Sequence, residues 1–155
     1  MTRVITFTGA QGTGKSTMKR LLVDYLGNKG FVTDEQYPGI DGSIARNAKE
    51  LGFVINEGTN FMTQYYIAHK FIVADLELHK VLETANRDFV VLDRSVLDVI
   101  PYSNLSANIT QFQKNLISKM LYNHFELYPS RLIYCKPLGF IESDKDRSSD
   151  LLFQQ

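Results

Sequence analysis

The sequence predicts an α/β fold in which helices pack against a parallel central sheet of about four strands. Three observations lead to this prediction. Short apolar runs alternate with segments of helical periodicity, which is the pattern of β–α–β units. A glycine-rich turn separates the first apolar run from the first helical segment. Polar residues follow directly on several of the runs, at the sheet edge where parallel sheets bind ligands.

The first strand and the first helix flank the glycine-rich turn. Residues 3–8 are rich in Val, Ile, Thr and Phe, which suits a strand buried on both faces. After the turn at residues 9–14, apolar side chains recur at helical spacing at Met18, Leu21, Leu22, Tyr25 and Leu26. We expect Gly27 or Gly30 to end this helix, and a short second strand to follow at residues 31–34.

Two further helices are predicted in the middle of the chain. Residues 43–51 form a helix that Gly52 stops, and Thr59 or Asn60 caps a long helix that runs to about Ala85. The long helix carries two apolar stripes. The first is Ile67, Phe71, Ala74, Leu78, Val81 and Ala85, and the second is Phe61, Tyr65, Ala68 and Ile72.

The last third of the chain adds two strands and a helix. Residues 89–92 form an apolar strand that ends in Asp93. Pro101 and the asparagines after it predict irregular structure. An amphipathic helix follows until Pro129 ends it, and residues 132–135 form a fourth short strand.

Composition predicts one domain that spans residues 1–155 and excludes several classes of protein. Lys plus Arg and Asp plus Glu both number 17, so no excess of positive charge favours binding to nucleic acid or to an anionic membrane. The single cysteine, Cys135, cannot close a disulfide within the chain, which suits a reducing compartment. No apolar run approaches the roughly 20 residues that span a bilayer. We therefore expect a cytoplasmic protein.

Residues 9–16 read GAQGTGKS and match the phosphate-binding pattern G-x-x-x-x-G-K-[ST]. The glycines let backbone N–H groups point at phosphate oxygens, and the helix that follows adds its N-terminal dipole. Lys15 would reach the β- and γ-phosphates of a nucleoside triphosphate, and the Ser16 hydroxyl would bind Mg²⁺. The residues expected to bind ATP are Gly9, Gly12, Thr13, Gly14, Lys15, Ser16 and Thr17.

Asp93 and Arg94 stand directly after the third predicted strand. In proteins with this phosphate loop such an aspartate holds the metal, so Ser16 and Asp93 are the expected ligands of Mg²⁺. Arg94 would enter the same cleft and bind a substrate phosphate or stabilise the phosphoryl group in transfer. The alternatives are a strand-end cap at Asp93 and a surface ion pair at Arg94.

Residues 9–17 followed by residues 93–95 resemble the nucleoside and nucleotide kinases of the thymidylate-kinase and deoxynucleoside-kinase type, in which a DR or ER pair follows the third strand. A closer likeness is to the NadR-like ATPase/kinase family, which is named for bacterial nicotinamide-ribose kinase domains and is common in phage genomes. The segments that carry this likeness are residues 7–17, residues 51–57 with Thr63 and Gln64, and residues 93–98 with Tyr102.

This resemblance implies a three-layer P-loop NTPase fold with the phosphate-loop strand in the middle of the sheet, ATP as phosphoryl donor, and catalytic roles for Lys15 and Arg94. In this group a carboxylate after the second strand often contacts the acceptor hydroxyl, and Glu35 occupies that place. Arg46 resembles a substrate-binding arginine, and Gln64 resembles a glutamine that reads a base edge. The alternatives are a solvent-exposed acid at Glu35 and a surface arginine at Arg46.

Kinases of this type close an arginine-bearing lid over the phosphates. Residues 146–148 resemble the acidic-then-Arg segment of that lid, so we expect Arg147 to be catalytic within a lid-like segment at about residues 138–150. Family members continue with a fifth strand, which we expect to be missing here together with its contact to adenine.

The resemblance also implies partners and a location. Related kinases often dimerise through helices, so the long helix at residues 60–85 is the expected surface of a homodimer. The expected location is the cytoplasm of a bacterium or of a phage-infected host. His69, His79 and His124 form no cluster with metal-ligand spacing and are expected at helix surfaces.

The sequence leaves three functions open. The first is a kinase that transfers the γ-phosphoryl group of ATP to a nucleoside, nucleotide or related small-molecule acceptor. The second is a nucleotide-binding ATPase or switch without kinase activity. The third is a 5′-polynucleotide kinase, against which the zero net charge argues.

Overall fold

The computed structural model describes residues 2–37 and 43–137, which form four strands and five α-helices. The strands are β1 (Arg3–Thr8), β2 (Thr33–Asp34), β3 (Phe89–Asp93) and β4 (Arg131–Tyr134). The helices are α1 (Lys15–Asn28), α2 (Ile44–Glu50), α3 (Phe61–Leu82), α4 (Val99–Leu105) and α5 (Gln111–Leu127). Short 3₁₀ helices, Asn56–Gly58 and Val96–Asp98, precede α3 and α4.

The four strands form one parallel sheet in the order β2–β3–β1–β4, which confirms the predicted parallel sheet. The strand before the phosphate loop, β1, lies between β3 and β4, so its expected central place is also confirmed. Phe7 pairs with Asp93 and Thr8 with Tyr134. Because all strands run the same way, the phosphate loop and the residues after β2 and β3 meet at one edge of the sheet.

Helices cover both faces of the sheet at β3, which makes the fold three-layered. Within β3, Phe89 and Val91 pack on the side of α1 with Leu26, while Val90 and Leu92 pack on the side of α3. These four side chains are at most 8% exposed, as a continuous apolar run predicts for a parallel strand. Each such burial stabilises the fold by about 1.5–3 kcal/mol.

A second core lies between α3 and the three helices packed on it. Its members include Ala48 of α2, Ile67 and Phe71 of α3, Ile100 of α4 and Leu121 of α5. The apolar stripes of α3 therefore pack largely inside this chain. The homodimer through this helix stays a prediction.

Helix boundaries follow the local signals, with one exception. The Asn60 side chain accepts a hydrogen bond from the Thr63 N–H and caps α3, and Gly52 follows α2 with φ +88°. The region around Pro101, predicted as irregular, is helix α4. Pro101 is its third residue, and the first turn tolerates proline because those N–H groups have no intrahelical partner.

Two predicted elements are shorter in the structure, and one prediction concerns residues outside the described ranges. The strand expected at residues 31–34 is only Thr33–Asp34, and the helix expected to reach Ala85 ends at Leu82. Arg147 and the lid-like segment at 138–150 lie outside the described residues. Within residues 2–37 and 43–137, no helix is both long and apolar enough to cross a membrane.

Candidate active site

A cleft of about 650 Å³ opens at the carboxyl edge of the sheet. It lies between the phosphate loop, the segment after β2, the start of α2, the middle of α3 and the loop after β3. Most of the site residues predicted from the sequence line it. They are Gly12, Thr13, Gly14, Lys15, Ser16, Thr17, Glu35, Arg46, Gln64, Asp93 and Arg94.

Gly9 and Gly14 of the phosphate loop are needed for different reasons. Gly9 has φ +133°, and a Cβ there would lie 2.5 Å from the carbonyl oxygen of Cys135. Gly14 caps α1 in the left-handed conformation, with φ +78°. A side chain at Gly9 would therefore push the loop away from β4, and one at Gly14 would strain the turn that starts the helix.

Lys15 is folded into the phosphate loop. Its ammonium group donates to the carbonyl oxygens of Gly9, at 2.9 Å, and of Ala10, and lies 3.3 Å from Thr13 Oγ1. The residue is only 5% exposed. The carbonyl oxygens of the loop thus hold the Lys15 ammonium group at the first turn of α1. The helix dipole favours an anion at the same place.

The charge balance around Lys15 follows from its burial. Burial lowers the pKa of Lys15 to about 8, and the neighbouring Arg94 guanidinium lowers it further. Asp98 and Asp93 act in the opposite direction. Two cations and two carboxylates thus share the floor of the cleft, and a bound anion would relieve the repulsion between the cations.

Ser16 and Asp93 meet at the edge of the sheet although they lie 77 residues apart in sequence. The Ser16 hydroxyl donates to Asp93 Oδ2, while the buried Asp93 Oδ1 has no hydrogen-bond partner in the described part of the chain. Mg²⁺ prefers hard oxygen ligands and is usually held by one or two carboxylates together with substrate phosphates. The orphaned carboxylate oxygen beside a hydroxyl therefore fits a magnesium site.

Arg94 is held in an unusual backbone conformation. Its φ is +85°, in the region that residues other than glycine rarely adopt, and its N–H donates to the carbonyl oxygen of Phe7 at 2.9 Å. The guanidinium carbon lies 5.9 Å from the ring centroid of Tyr102. Burial opposes the charge, but Tyr102 and Asp98 outweigh it, so the pKa of Arg94 lies above its ordinary value.

Asp98 is a site residue that the sequence analysis did not single out. It is 7% exposed, lines the cleft, and accepts hydrogen bonds from the Thr8 hydroxyl, the Gly9 N–H and the Ser95 N–H. Burial raises the pKa of its carboxyl group, an effect that the hydrogen bond from Thr8 opposes. The S-x-x-D spacing of Ser95 and Asp98 is a capping-box signal that could have pointed to it.

The segment after β2 brings Glu35 to the other side of the cleft. Its carboxylate is 49% exposed and forms an ion pair with Lys19 of α1, with 3.2 Å between Nζ and Oε2. Lys19 also lines the cleft and was not predicted. The neighbouring Asp34 does not line the cleft and pairs with Arg87 instead, at 2.8 Å.

Arg46 and Gln64 line the same part of the cleft from α2 and α3. Arg46 is exposed, whereas Gln64 is 3% exposed and its Nε2 donates to Thr59 Oγ1 at 2.8 Å. Ile67 and Phe71 lie on the same stretch of α3 and give this part of the cleft an apolar wall. The geometry therefore combines an oriented amide with apolar surface, which suits a flat polar ring system.

A buried polar network stands behind the cleft wall. The Tyr37 phenol, which lines the cleft, hydrogen-bonds to Asp75 of α3, and Asp75 Oδ2 lies 3.2 Å from His124 Nε2 of α5. Burial raises the pKa of Asp75, and both partners oppose that shift. His124 is 8% exposed, so the expectation that it lies at a helix surface is wrong.

Comparison with known proteins shows the family and the fold. The model of a family described as an AAA domain matches residues 4–152. No curated protein sequence matches the chain.

Three solved structures share the fold of this chain. A NadR protein in complex with NAD and AMP-PNP aligns over 98% of this chain with a TM-score of 0.67 and 15% identity. A NadR protein in complex with NR aligns over 88% with a TM-score of 0.62 and 18% identity. Thymidylate kinase from Ehrlichia chaffeensis aligns over 88% of this chain and 77% of its own, with a TM-score of 0.59 and 20% identity. This chain spans only 34–38% of the length of the NadR chains. The likeness confirms the P-loop kinase fold.

Proposed function

We propose that this chain, which belongs to the AAA domain family and is a P-loop nucleotide kinase-like domain, transfers the γ-phosphoryl group of ATP to a nucleoside, nucleotide or related small-molecule acceptor. The observation that carries the proposal is the convergence of Lys15, the Ser16–Asp93 pair, Arg94 and Glu35 on one cleft at the carboxyl edge of the sheet. Phosphoryl transfer requires mainly positioning and charge stabilisation, and these groups supply both.

On the donor side, the phosphate loop would hold ATP. The Lys15 ammonium would exchange its hydrogen bonds to the carbonyl oxygens of Gly9 and Ala10 for bonds to phosphate oxygens. Ser16 and Asp93 would hold Mg²⁺, which when bound neutralises charge on the phosphates. The remaining loop residues, Gly12, Thr13, Gly14 and Thr17, would contact phosphate through backbone N–H groups and the start of α1.

On the acceptor side, Glu35 would orient the acceptor hydroxyl and take its proton as the new bond forms. The acceptor oxygen bonds to the γ-phosphorus, the bond from that phosphorus to the β–γ bridging oxygen breaks, and ADP leaves. Arg94 would stabilise charge on the group in transfer, and Arg147 is proposed to do so from the lid. Where the acceptor is itself a phosphate, no proton has to be removed.

The acceptor class is proposed from the cleft and from the neighbours. The oriented amide of Gln64 beside Ile67 and Phe71 suits a base or a similar ring, and Arg46 suits a phosphate or ribose. The solved neighbours carry NR, NAD or the name thymidylate kinase in their descriptions, which supports an acceptor of nucleoside or nucleotide type.

An acceptor screen tests the proposal. The protein is incubated with Mg-ATP and a panel of nucleosides, deoxynucleoside monophosphates, nicotinamide riboside and 5′-hydroxyl oligonucleotides, and ADP is followed against a control without acceptor. A Lys15→Ala variant purified in the same way reports contaminating kinases. ADP that appears with one acceptor class, and not with the variant, supports a kinase and names its substrate. ADP at the control rate throughout, with Mg-ATP binding intact, would instead indicate an ATPase or switch.

A further inference from the structure

Asp98 hydrogen-bonds both to the start of the phosphate loop and to the turn after β3. Its Oδ1 accepts from the Thr8 hydroxyl and from the Gly9 N–H, at 3.4 Å for the latter. Its Oδ2 accepts from the Ser95 N–H at 3.1 Å. Thr8 ends β1 and Gly9 begins the loop, whereas Ser95 follows the pair of Asp93 and Arg94.

Each of the two backbone segments that Asp98 joins contains a residue with a positive φ. Gly9 has φ +133°, and Arg94, directly before Ser95, has φ +85°. A residue other than glycine, such as Arg94, keeps such a conformation where surrounding contacts hold it in place. A buried carboxylate with a bond to each segment is such a contact, since bonds to an ionised acceptor are stronger than neutral ones.

We propose that Asp98 is a positioning residue that sets the phosphate loop relative to Asp93 and Arg94. The loop and these two residues can then bind the same triphosphate together. Asp98 acts through Gly9 and Ser95 and does not itself bind the nucleotide. The proposal depends on triphosphate binding by the loop, and it does not depend on phosphoryl transfer or on the identity of the acceptor.

For the affinity for triphosphate, the negative charge of Asp98 predicts the opposite effect to its positioning role. Asp98 lies near Lys15 and Arg94, so its negative charge would repel an anionic triphosphate. Replacing Asp98 by an uncharged residue would therefore strengthen binding if the carboxylate acted only as a charge. Weaker binding by such a variant is the signature of lost positioning.

The test compares Asp98→Asn with two other variants. Asp98→Asn keeps an oxygen for Thr8 but turns an NH₂ group toward the Ser95 N–H, so one of the two segments loses its acceptor. Thr8→Val removes one donor to Oδ1. Asp88→Asn is the matched control, because Asp88 also accepts a backbone N–H, that of Val32 at 2.9 Å, but stands before β3 at the opposite end of the strand.

Binding of Mg-ATP and of magnesium tripolyphosphate, which has no base, is measured by calorimetry, and thermal unfolding is measured in parallel. We expect Asp98→Asn to weaken both ligands about 10-fold. Thr8→Val should weaken them less and add little in the double variant, because both changes act on one contact. Asp88→Asn should leave both affinities within about twofold of the parent protein.

Hydrogen exchange of the peptide that covers residues 8–16, measured without nucleotide, separates this proposal from the proposed function. Faster exchange in Asp98→Asn and not in Asp88→Asn supports a positioning role even if no acceptor is ever found. Unchanged or tighter binding together with unchanged exchange in Asp98→Asn would overturn the proposal, as would equal weakening by Asp88→Asn.

Discussion

The ammonium group of Lys19 lies 3.2 Å from Oε2 of Glu35 and 3.1 Å from the backbone carbonyl oxygen of the same residue. Lys19 stands one helical turn after Lys15 on α1. The helix that begins at the phosphate loop therefore also holds the carboxylate proposed to face the acceptor. Because Glu35 is half exposed, this ion pair adds little to stability, and its consequence is the placement of Glu35.

Replacing Lys19 by methionine should therefore affect turnover more than nucleotide binding. We expect kcat to fall about 10-fold, because Glu35 loses its fixed position, while the Kd for Mg-ATP changes by less than about twofold. Steady-state kinetics with the acceptor found in the screen, together with calorimetry, check this. Lys19→Arg keeps the charge and should recover most of the rate. A Kd that rises in step with the loss of kcat would show that Lys19 serves the nucleotide instead.

Glu35→Gln should reduce phosphoryl transfer to a hydroxyl acceptor by about 10²–10⁴-fold, because the amide cannot take the acceptor proton. Mg-ATP binding should survive. Asp34→Asn is the matched control, since Asp34 is adjacent in sequence but pairs with Arg87 outside the cleft. Equal loss of binding and transfer in Glu35→Gln, or no loss of either, would contradict the proposed role.

Asp93→Asn and Ser16→Ala should each raise the Mg²⁺ concentration needed for half-maximal activity at fixed ATP. The physical reason is that each removes an oxygen from the pair that fits the metal, and Asp93 also loses its charge. A Mg²⁺ titration of activity measures the effect, and excess EDTA should abolish activity in the parent protein. Asp24→Asn, on the exposed face of α1, should leave the titration unchanged. Identical Mg²⁺ curves for all variants would remove Ser16 and Asp93 from the metal site.

Asp75→Asn should change the pH dependence of stability. Burial raises the pKa of Asp75 in the folded protein, with Tyr37, His124 and His79 acting against that rise. The Asp75 carboxyl therefore keeps its proton to a higher pH in the folded protein than in the unfolded chain. The contribution of protonated Asp75 to stability is present below the ordinary pKa of an aspartate. It is lost as the pH rises through the raised pKa of Asp75 in the folded protein.

Urea unfolding between pH 3.5 and pH 7 measures this effect as the difference in free energy of unfolding between the parent protein and the variant. We expect the free energy of unfolding of the parent protein to fall relative to that of the variant as the pH rises. Glu77→Gln, an exposed acid on the same helix, should show no such trend. A difference that stays constant over this range would mean that Asp75 titrates normally in the folded protein.

Local patterns were sufficient for most of the fold. The apolar run of β3 predicted a strand buried on both faces, and Val90 and Val91 are each fully buried on opposite sides. Gly14 and Lys15 predicted a turn that starts a helix, and α1 begins at Lys15. These signals operate over a few residues, so the neighbouring sequence contains all that is needed to interpret them.

Local patterns failed where tertiary contacts decide the outcome. Pro101 was interpreted as a break because proline disfavours helix interiors, yet its place in the first turn of α4 costs no hydrogen bond. His124 was interpreted as a surface residue because nothing near it in sequence indicates a partner. Its partner, Asp75, is 49 residues away and meets it only because α3 and α5 pack together.

The sequence by itself determined the phosphate loop, the parallel sheet and the edge at which Lys15, Glu35 and Asp93 would gather, because each depends on turn chemistry and short-range periodicity. Only the tertiary structure decided which groups touch there. The hydroxyl of Ser16 on Asp93, the Lys19–Glu35 pair and the bonds from Thr8 and Gly9 to Asp98 join residues from separate elements. Such contacts depend on strand register and helix packing, and these arise from burial of the whole core, which no local pattern contains.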